Sequence, residues 1–376
     1  MIEATAASQS LERAILDGAG WKVFCDALAN AGAVLLRPGS PAGALDRAEG
    51  CRYLGRLTRL ALEKFVEHAD PAAPSFYRLS HETAKIGCDN PDSVYLNAAI
   101  SGDYAYRLIG TRGTVAYLGF GTYYGHYGSP ARSGCSGHLE AGDLSLGPDG
   151  SFEIVLSRDP APGNWLPLES DSSMLIVRQN FLDRARERPA DLRIERIGAK
   201  GPAAPLSAAA LARGLTDAAR FVSGTATLFA DWAEGFARQP NTLLPMDPAV
   251  TGGAHGDPNI AFHMGYWRLA PGEALLVEMT PPACDFWNFQ INNHWMESLD
   301  YRHHRIHLNA HTVRLRADGS VRIVVAHRDP GVPNWIETAG HAHGTMGLRW
   351  IKAASHPTPD CRVAPHEEIV AAASRD

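Results

Sequence analysis

Between Asn292 and His307 the chain reads NNHWMESLDYRHHRIH, eight charged or histidine side chains within sixteen residues of a sequence that is only 20% charged overall. Histidine titrates near neutral pH, and a carboxylate beside it fixes its tautomer and raises its basicity, as a general base requires. On a helical turn His294 and Glu297, three residues apart, share a face, and Asp300 comes one turn later. This spacing assigns His294 as the base and Glu297 or Asp300 as its orienting carboxylate. Arg302 becomes the stabiliser of developing negative charge, and His304 a further catalytic candidate.

Just upstream, DFWNFQIN alternates Trp287, Phe289 and Ile291 with Asn288, Gln290 and Asn292. A strand here places aromatic and aliphatic groups on one face and three amides on the other. Amides directed together suit a ligand carbonyl or hydroxyl in a cavity, so Asn288, Gln290 and Asn292, with Asn293 and Tyr301, form the predicted substrate-positioning set. The competing reading of the same pattern is an ordinary solvated strand face.

Eight of the sixteen histidines lie between 294 and 343. His303, His304, His307, His341 and His343 are candidate ligands for a divalent metal, with His341-Ala342-His343 able to set two imidazoles on one side of a strand. No HExxH or cysteine-bearing zinc pattern accompanies them, and there is no GxSxG elbow, GxxxxGK[ST] loop or GxGxxG fingerprint. A metal is therefore the alternative, and the expectation is chemistry without an organic cofactor. The Gly119–Gly128 stretch, GFGTYYGHYG, is glycine-rich and aromatic, which suits a mobile loop over a pocket better than a phosphate cradle.

Three functional readings are open. The first is an enzyme of lyase, hydrolase or isomerase type acting on a small hydrophobic or aromatic substrate by histidine–carboxylate chemistry. The second is a metal-dependent enzyme, and the third a non-catalytic binding or assembly module. A net charge of −6 without a run of Lys/Arg excludes a nucleic-acid partner. The sequence shows no basic segment leading into an apolar one at its start and no stretch of ~18 apolar residues. A cytoplasmic protein without a membrane partner is expected.

What positions these residues is a repeat. LSLGPDGSFEIVLSRDPAPGNWLPLESDSSMLIVRQ (144–179) matches VRLRADGSVRIVVAHRDPGVPNWIETAGHAHGTMGLRW (313–350), with Asp-Gly-Ser, Arg-Asp-Pro and Asn-Trp in the same order. In both copies an Asp-Gly pair between alternating apolar runs supplies a tight turn. Residues 9–68 carry helical spacing, as at Tyr53, Leu57, Ala61 and Phe65, and are cut into two helices by Arg37-Pro38-Gly39-Ser40-Pro41. A further helix is predicted over 207–237, packing across one or both sheets. The expected organisation is a helical segment (1–85), a first β unit (86–200), a connecting helix (201–244), a second β unit (245–352) and a short polar tail (353–376).

The second copy, through Asp318-Gly319-Ser320, Asn334-Trp335 and Arg349-Trp350, resembles the domain-of-unknown-function 1214 family over roughly 260–351, and the first copy does so faintly. The chain departs from the family pattern where Ile336-Glu337 replaces the Leu-Pro usual after Asn-Trp, a pair the first copy keeps as Leu166-Pro167. The resemblance implies jelly-roll-like antiparallel sandwiches, hence an α+β, mainly β fold, and a homo-oligomer; it implies no activity. Aligning the Asn-Trp pairs sets Asp171 against His341, Ser173 against His343 and Ser157 against His327. Imidazoles in one copy alone predict a functional pocket in the second unit, with the first as scaffold.

Overall fold

The computed structural model describes residues 2–129, 132–201 and 203–373. Three helices open the chain: α1 (Ile2–Leu16), α2 (Ala19–Ala31) and α3 (Ala44–Leu62). Two were expected; the extra break falls at Gly18, whose φ of 77° lies in the left-handed region that glycine adopts without a Cβ penalty.

Strands β1 (Ser93–Ala99), β2 (Tyr106–Thr111), β3 (Tyr117–Tyr124), β4 (Gly134–Glu140), β5 (Ser151–Ser157), β6 (Asn164–Pro167), β7 (Ser172–Asn180) and β8 (Asp191–Arg196) form the first unit. They make two sheets, ordered β1-β7-β3-β4 and β6-β5-β2-β8. Helix α4 (Ala208–Phe236) crosses to the second unit, started by Ser207, whose hydroxyl accepts from the Ala210 N–H.

There β9 (Thr242–Pro245), α5 (Pro248–Gly253), β10 (Ile260–Arg268), β11 (Glu273–Met279), β12 (Phe286–Ile291), β13 (His307–Asn309), β14 (Val321–Ala326), β15 (Trp335–Glu337), β16 (His343–Ile351) and β17 (Asp360–Pro365) repeat the topology, before α6 (His366–Ala373). The second unit's sheets run β13-β12-β16-β10-β9 and β15-β14-β11-β17, the first unit's order with β9 added at one edge. All pairings are antiparallel except β5–β6 and β14–β15. The chain is therefore mainly β, two jelly-roll-like sandwiches with helices packed around them.

The repeated residues perform the same local task in each copy. Asp149 and Asp318 accept from the N–H two residues on, at 3.1 and 2.9 Å, beside Gly150 and Gly319 at φ 78° and 80°. Asn164 clips Ser145 N and O and Glu153 O; Asn334 clips Arg314 N and O and Arg322 O. A side-chain amide with donor and acceptor thus fastens the short parallel strand.

Each unit has its own apolar core, Leu108, Phe120, Ile154 and Val177 in the first and Trp267, Phe289, Ile323 and Trp350 in the second. The tail is not a bare extension: β17 pairs with β11. Its pattern was unreadable because Asp360, Arg362, Val363 and Pro365 are exposed and Ala364 alone is buried. No helix among the described residues is long and apolar enough to cross a membrane.

Candidate functional site

Strand β12 alternates as its sequence requires. Trp287, Phe289 and Ile291 enter the second core, while Asn288, Gln290 and Asn292 face the other way and are fully buried. That face is neither solvated nor a ligand wall, because a loop from the first unit covers it. Asn288 Nδ2 donates to Asn90 Oδ1 at 2.7 Å, Gln290 Nε2 to Asp89 O at 2.8 Å and Asn292 Nδ2 to Cys88 Sγ at 3.2 Å. Arg349, on neighbouring β16, donates to Gln290 Oε1 at 2.7 Å and to the Cys88 carbonyl. The amides serve as a polar socket for loop groups that have no strand partner.

The 292–307 stretch is a turn rather than a helix, so His294 and Glu297 part company. Asn293 Oδ1 accepts from Trp295 N and Glu297 N, and its Nδ2 donates to Glu297 Oε2 at 3.0 Å. The Glu297 carboxylate is taken by Arg56 of α3, Nη1 to Oε1 at 2.6 Å. His294 instead meets Tyr266 Oη through Nδ1 at 3.1 Å. Tyr266 Oη also reaches His343 Nδ1 at 2.9 Å, and His343 Nε2 lies 3.6 Å from Asp46. Burial, assisted by the charge of His343, lowers His294 to about 4.

The other predicted residues have separate partners. Asp300 binds Arg302 in an exposed pair at 2.7 Å. His304 faces Glu337 at 3.0 Å, His307 faces Asp92 of the first unit at 3.0 Å and His341 faces Glu49 at 2.9 Å. Tyr301 lies under the Lys85 ammonium at 4.8 Å, and His303 is exposed. Among the described residues no three His, Cys, Asp or Glu side chains converge as metal ligands, so His303, His304, His307, His341 and His343 do not form one centre. Two of the histidines special to the second copy serve a helix, Asp46 and Glu49 of α3 docking on His343 and His341, while His327 holds Thr338 Oγ1 and Leu269 O within its own unit.

A different set of residues does converge. A cavity of about 150 Å3 lies between the units, walled by the outward face of β1 and β7, by Phe221 of α4, and by Phe262 and Arg349 of the second unit. Lys64 reaches it from the residue after Glu63, where the end of α3 widens into a π-helical turn closed by His68 N to Glu63 O at 2.9 Å. Its ammonium makes one hydrogen bond, to Met174 Sδ at 3.3 Å, and no carboxylate lies within ion-pair distance among the described residues. Burial lowers Lys64 to about 8.

His126 and His255 stand nearby. His126 Nδ1 is 2.9 Å from the Tyr127 carbonyl, which only accepts, so Nδ1 carries the proton and Nε2 is left as acceptor. His255 Nε2 similarly donates to Tyr124 O at 3.2 Å. Burial lowers both, His255 to about 4. Arg178, on β7, donates to Tyr123 Oη at 2.7 Å. Against Lys64, Arg178 and Arg349 the lining has one carboxylate, Asp89, and that group is turned to Ser298 N and Oγ at 2.9 and 2.8 Å. Asn90 Nδ2 and Asn180 Oδ1, buried and both lining the cavity, have no hydrogen-bond partner among the described residues. The lining thus carries three cations to one carboxylate, with Asp257 4.0 Å behind Arg178, and offers one spare donor, one spare acceptor and apolar patches from Ile86, Ile176, Phe221 and Phe262. It draws on both units, contrary to the second-unit pocket that the histidine asymmetry predicts.

Residues 274–354 match the family described as protein of unknown function, DUF1214. The crystal structure of an uncharacterized protein from Burkholderia cenocepacia is 49% identical, covers 95% of this chain and 99% of its own, and superposes with a TM-score of 0.93. The second unit belongs to the DUF1214 family. A second structure, the VPA0106 protein from Vibrio parahaemolyticus, covers 84% of this chain and 98% of its own at 12% identity and a TM-score of 0.48. No curated protein matches.

Two signals for the cavity were present in this DUF1214-containing sequence. Lys64 continues the buried stripe of Tyr53, Leu57 and Leu60, a lysine where an apolar residue belongs. The end of the glycine- and aromatic-rich 119–128 stretch does reach the cavity at His126 and Tyr127, although the part up to Tyr124 is strand β3 rather than a loop.

Proposed function

We propose that the protein is an acid–base enzyme for a small organic acid with an apolar body, bound in the cavity between the units. The observation that carries this reading is the Lys64 ammonium, buried in the cavity wall with a thioether as its one polar contact. A buried charge without a counter-ion is costly, and an anionic ligand is the partner that removes the cost. The ligand's charge faces Lys64 and Arg178, and its apolar part rests against Phe221, Ile176 and Phe262. His126, with Nε2 as acceptor, takes a proton, and Lys64 returns one. Burial lowers both groups, Lys64 to about 8, which favours the neutral base on His126 and frees a proton from Lys64. The class matches the reaction type expected from the histidines near 294, but with different residues.

The test is thermal unfolding and calorimetric titration with a panel of small aliphatic and aromatic carboxylates. Wild type is expected to be stabilised by about 2.7 kcal/mol at a hundredfold excess over Kd, Lys64→Met to lose that response, and His126→Gln to bind without turnover. Absence of stabilisation by any carboxylate, or an undiminished response in Lys64→Met, would sink the reading.

A further inference from the structure

We propose that Lys64 is the amine of an imine-forming site, and that the cavity takes a small oxo acid whose carbonyl condenses with its Nζ. This rests on the reading of the cavity as an organic-acid site and goes beyond it by naming the covalent chemistry.

Three observations converge. The chain holds five lysines, Lys22, Lys64, Lys85, Lys200 and Lys352, against thirty arginines. Anion recognition alone is served as well or better by a guanidinium, whereas only the amine can lose its proton and act as a nucleophile. Of the two buried lysines, Lys85 is spent on structure, its ammonium donating to Ser298 O at 2.5 Å and Leu299 O at 2.9 Å. Lys64 keeps donor capacity that no acceptor among the described residues uses. Finally, Lys64 sits within a π-helical turn, an irregularity frequently found at functional sites.

The neighbours supply what condensation needs. His126 packs its ring 4.9 Å from that of Phe65, the residue next to Lys64, and its Nε2 is the acceptor. Asn90 Nδ2 is a donor available to a carbonyl oxygen, and Arg178, whose carboxylate neighbour Asp257 stays 4.0 Å away, is the cation facing the carboxylate. Burial holds the amine low enough to be partly neutral near physiological pH.

In the step itself His126 Nε2 takes a proton from the Lys64 ammonium. The freed Nζ pair attacks the carbonyl carbon, and the carbonyl electrons move to oxygen. That oxygen takes the proton from His126 to give a carbinolamine. The amine proton passes to His126 and on to the hydroxyl, which leaves as water while the nitrogen pair forms the C=N bond. The sum is ammonium plus carbonyl giving protonated imine plus water, with no oxidant or reductant.

The experiment incubates the full chain with glyoxylate or pyruvate and sodium cyanoborohydride, then maps all five lysines by peptide mass spectrometry. The expected result is one reduced adduct per chain, on Lys64, with Lys22, Lys85, Lys200 and Lys352 unmodified at the same time point. Lys64→Arg, which keeps the charge, is expected to retain anion binding and form no adduct there; if that variant does not fold, the wild-type map alone decides. Oxo acids that stabilise the protein without labelling Lys64 would overturn the imine and leave the organic-acid reading standing. Labelling confined to the exposed lysines would overturn it too, and the loss of both binding and labelling would overturn both proposals.

Discussion

Replacing Arg56 by methionine removes the ionic partner of Glu297 while keeping most of the stem that covers it. The Glu297 carboxylate is fully buried, and Arg56 contributes the 2.6 Å contact with only 13% of its side chain exposed. Removing one member of a buried pair leaves an uncompensated charge and costs ~3–5 kcal/mol. The Asn293 hydrogen bond and the charge of Lys85 survive the change, which points to the lower end, about 3 kcal/mol. The loss also depends on pH. Burial already raises Glu297 above its ordinary 4.5 despite Arg56, and the substitution raises it further. A carboxyl whose folded pKa exceeds its unfolded value lends stability that is complete below the unfolded pKa and disappears as pH rises through the folded one. The deficit of Arg56→Met is therefore largest at neutral pH and shrinks toward pH 4.5, and adding Glu297→Gln recovers part of it. Urea denaturation from pH 7 down to pH 4.5 measures this. A loss below ~1 kcal/mol at pH 7, the range of exposed pairs, or one that grows on acidification, would refute the argument.

Two histidines give opposite pH signatures when the denaturation series is widened to about pH 4–9. His294, lowered to about 4 by burial, withdraws stability as pH falls from 6.5 toward 4, so His294→Gln flattens that limb. At His341 burial opposes protonation but the hydrogen bond and charge of Glu49 prevail and raise it, so its stability is complete below 6.5 and lost as pH climbs above; His341→Gln removes that alkaline decline. Asn334→Ala and Asn164→Ala each delete three hydrogen bonds, ~1 kcal/mol apiece. The Asn334 change should cost ~1–2 kcal/mol more because its φ of 61° suits alanine poorly, and equal melting temperatures would contradict this. Gly344→Ala puts a Cβ 2.0 Å from the Asn292 carbonyl. It should lower stability by ~1–3 kcal/mol, and a neutral effect in thermal melts would mean that the 292–293 turn can move.

The fold was legible because it is local and written twice. Asp149-Gly150 and Asp318-Gly319 set turns, Asn164 and Asn334 fasten the parallel strands, and Trp287, Phe289 and Ile291 alternate as a strand must. The destination of each outward face was not. Asn288, Gln290 and Asn292 were readable as a strand's polar side, but the loop that fills it lies some two hundred residues earlier, at Cys88 to Asp92. His294 and Glu297 share a face only on a helix, and Met296, with φ 56°, bends the chain into a turn instead. The cavity brings Lys64, His126, Arg178 and His255 together from four separate segments, and no spacing rule links residues so far apart.

The widened turn at the end of α3 amounts to one extra residue accommodated without re-registering its flanks. Taking a single residue out of 65–67 would let the helix resume its ordinary pitch and leave Lys64 on the stripe of Tyr53, Leu57 and Leu60. Taking one out between Leu60 and Lys64 would instead turn the amine by about 100° off that stripe while Tyr53 and Leu57 stayed packed. Chain length ahead of the widened turn thus governs the presence of the amine in the cavity wall.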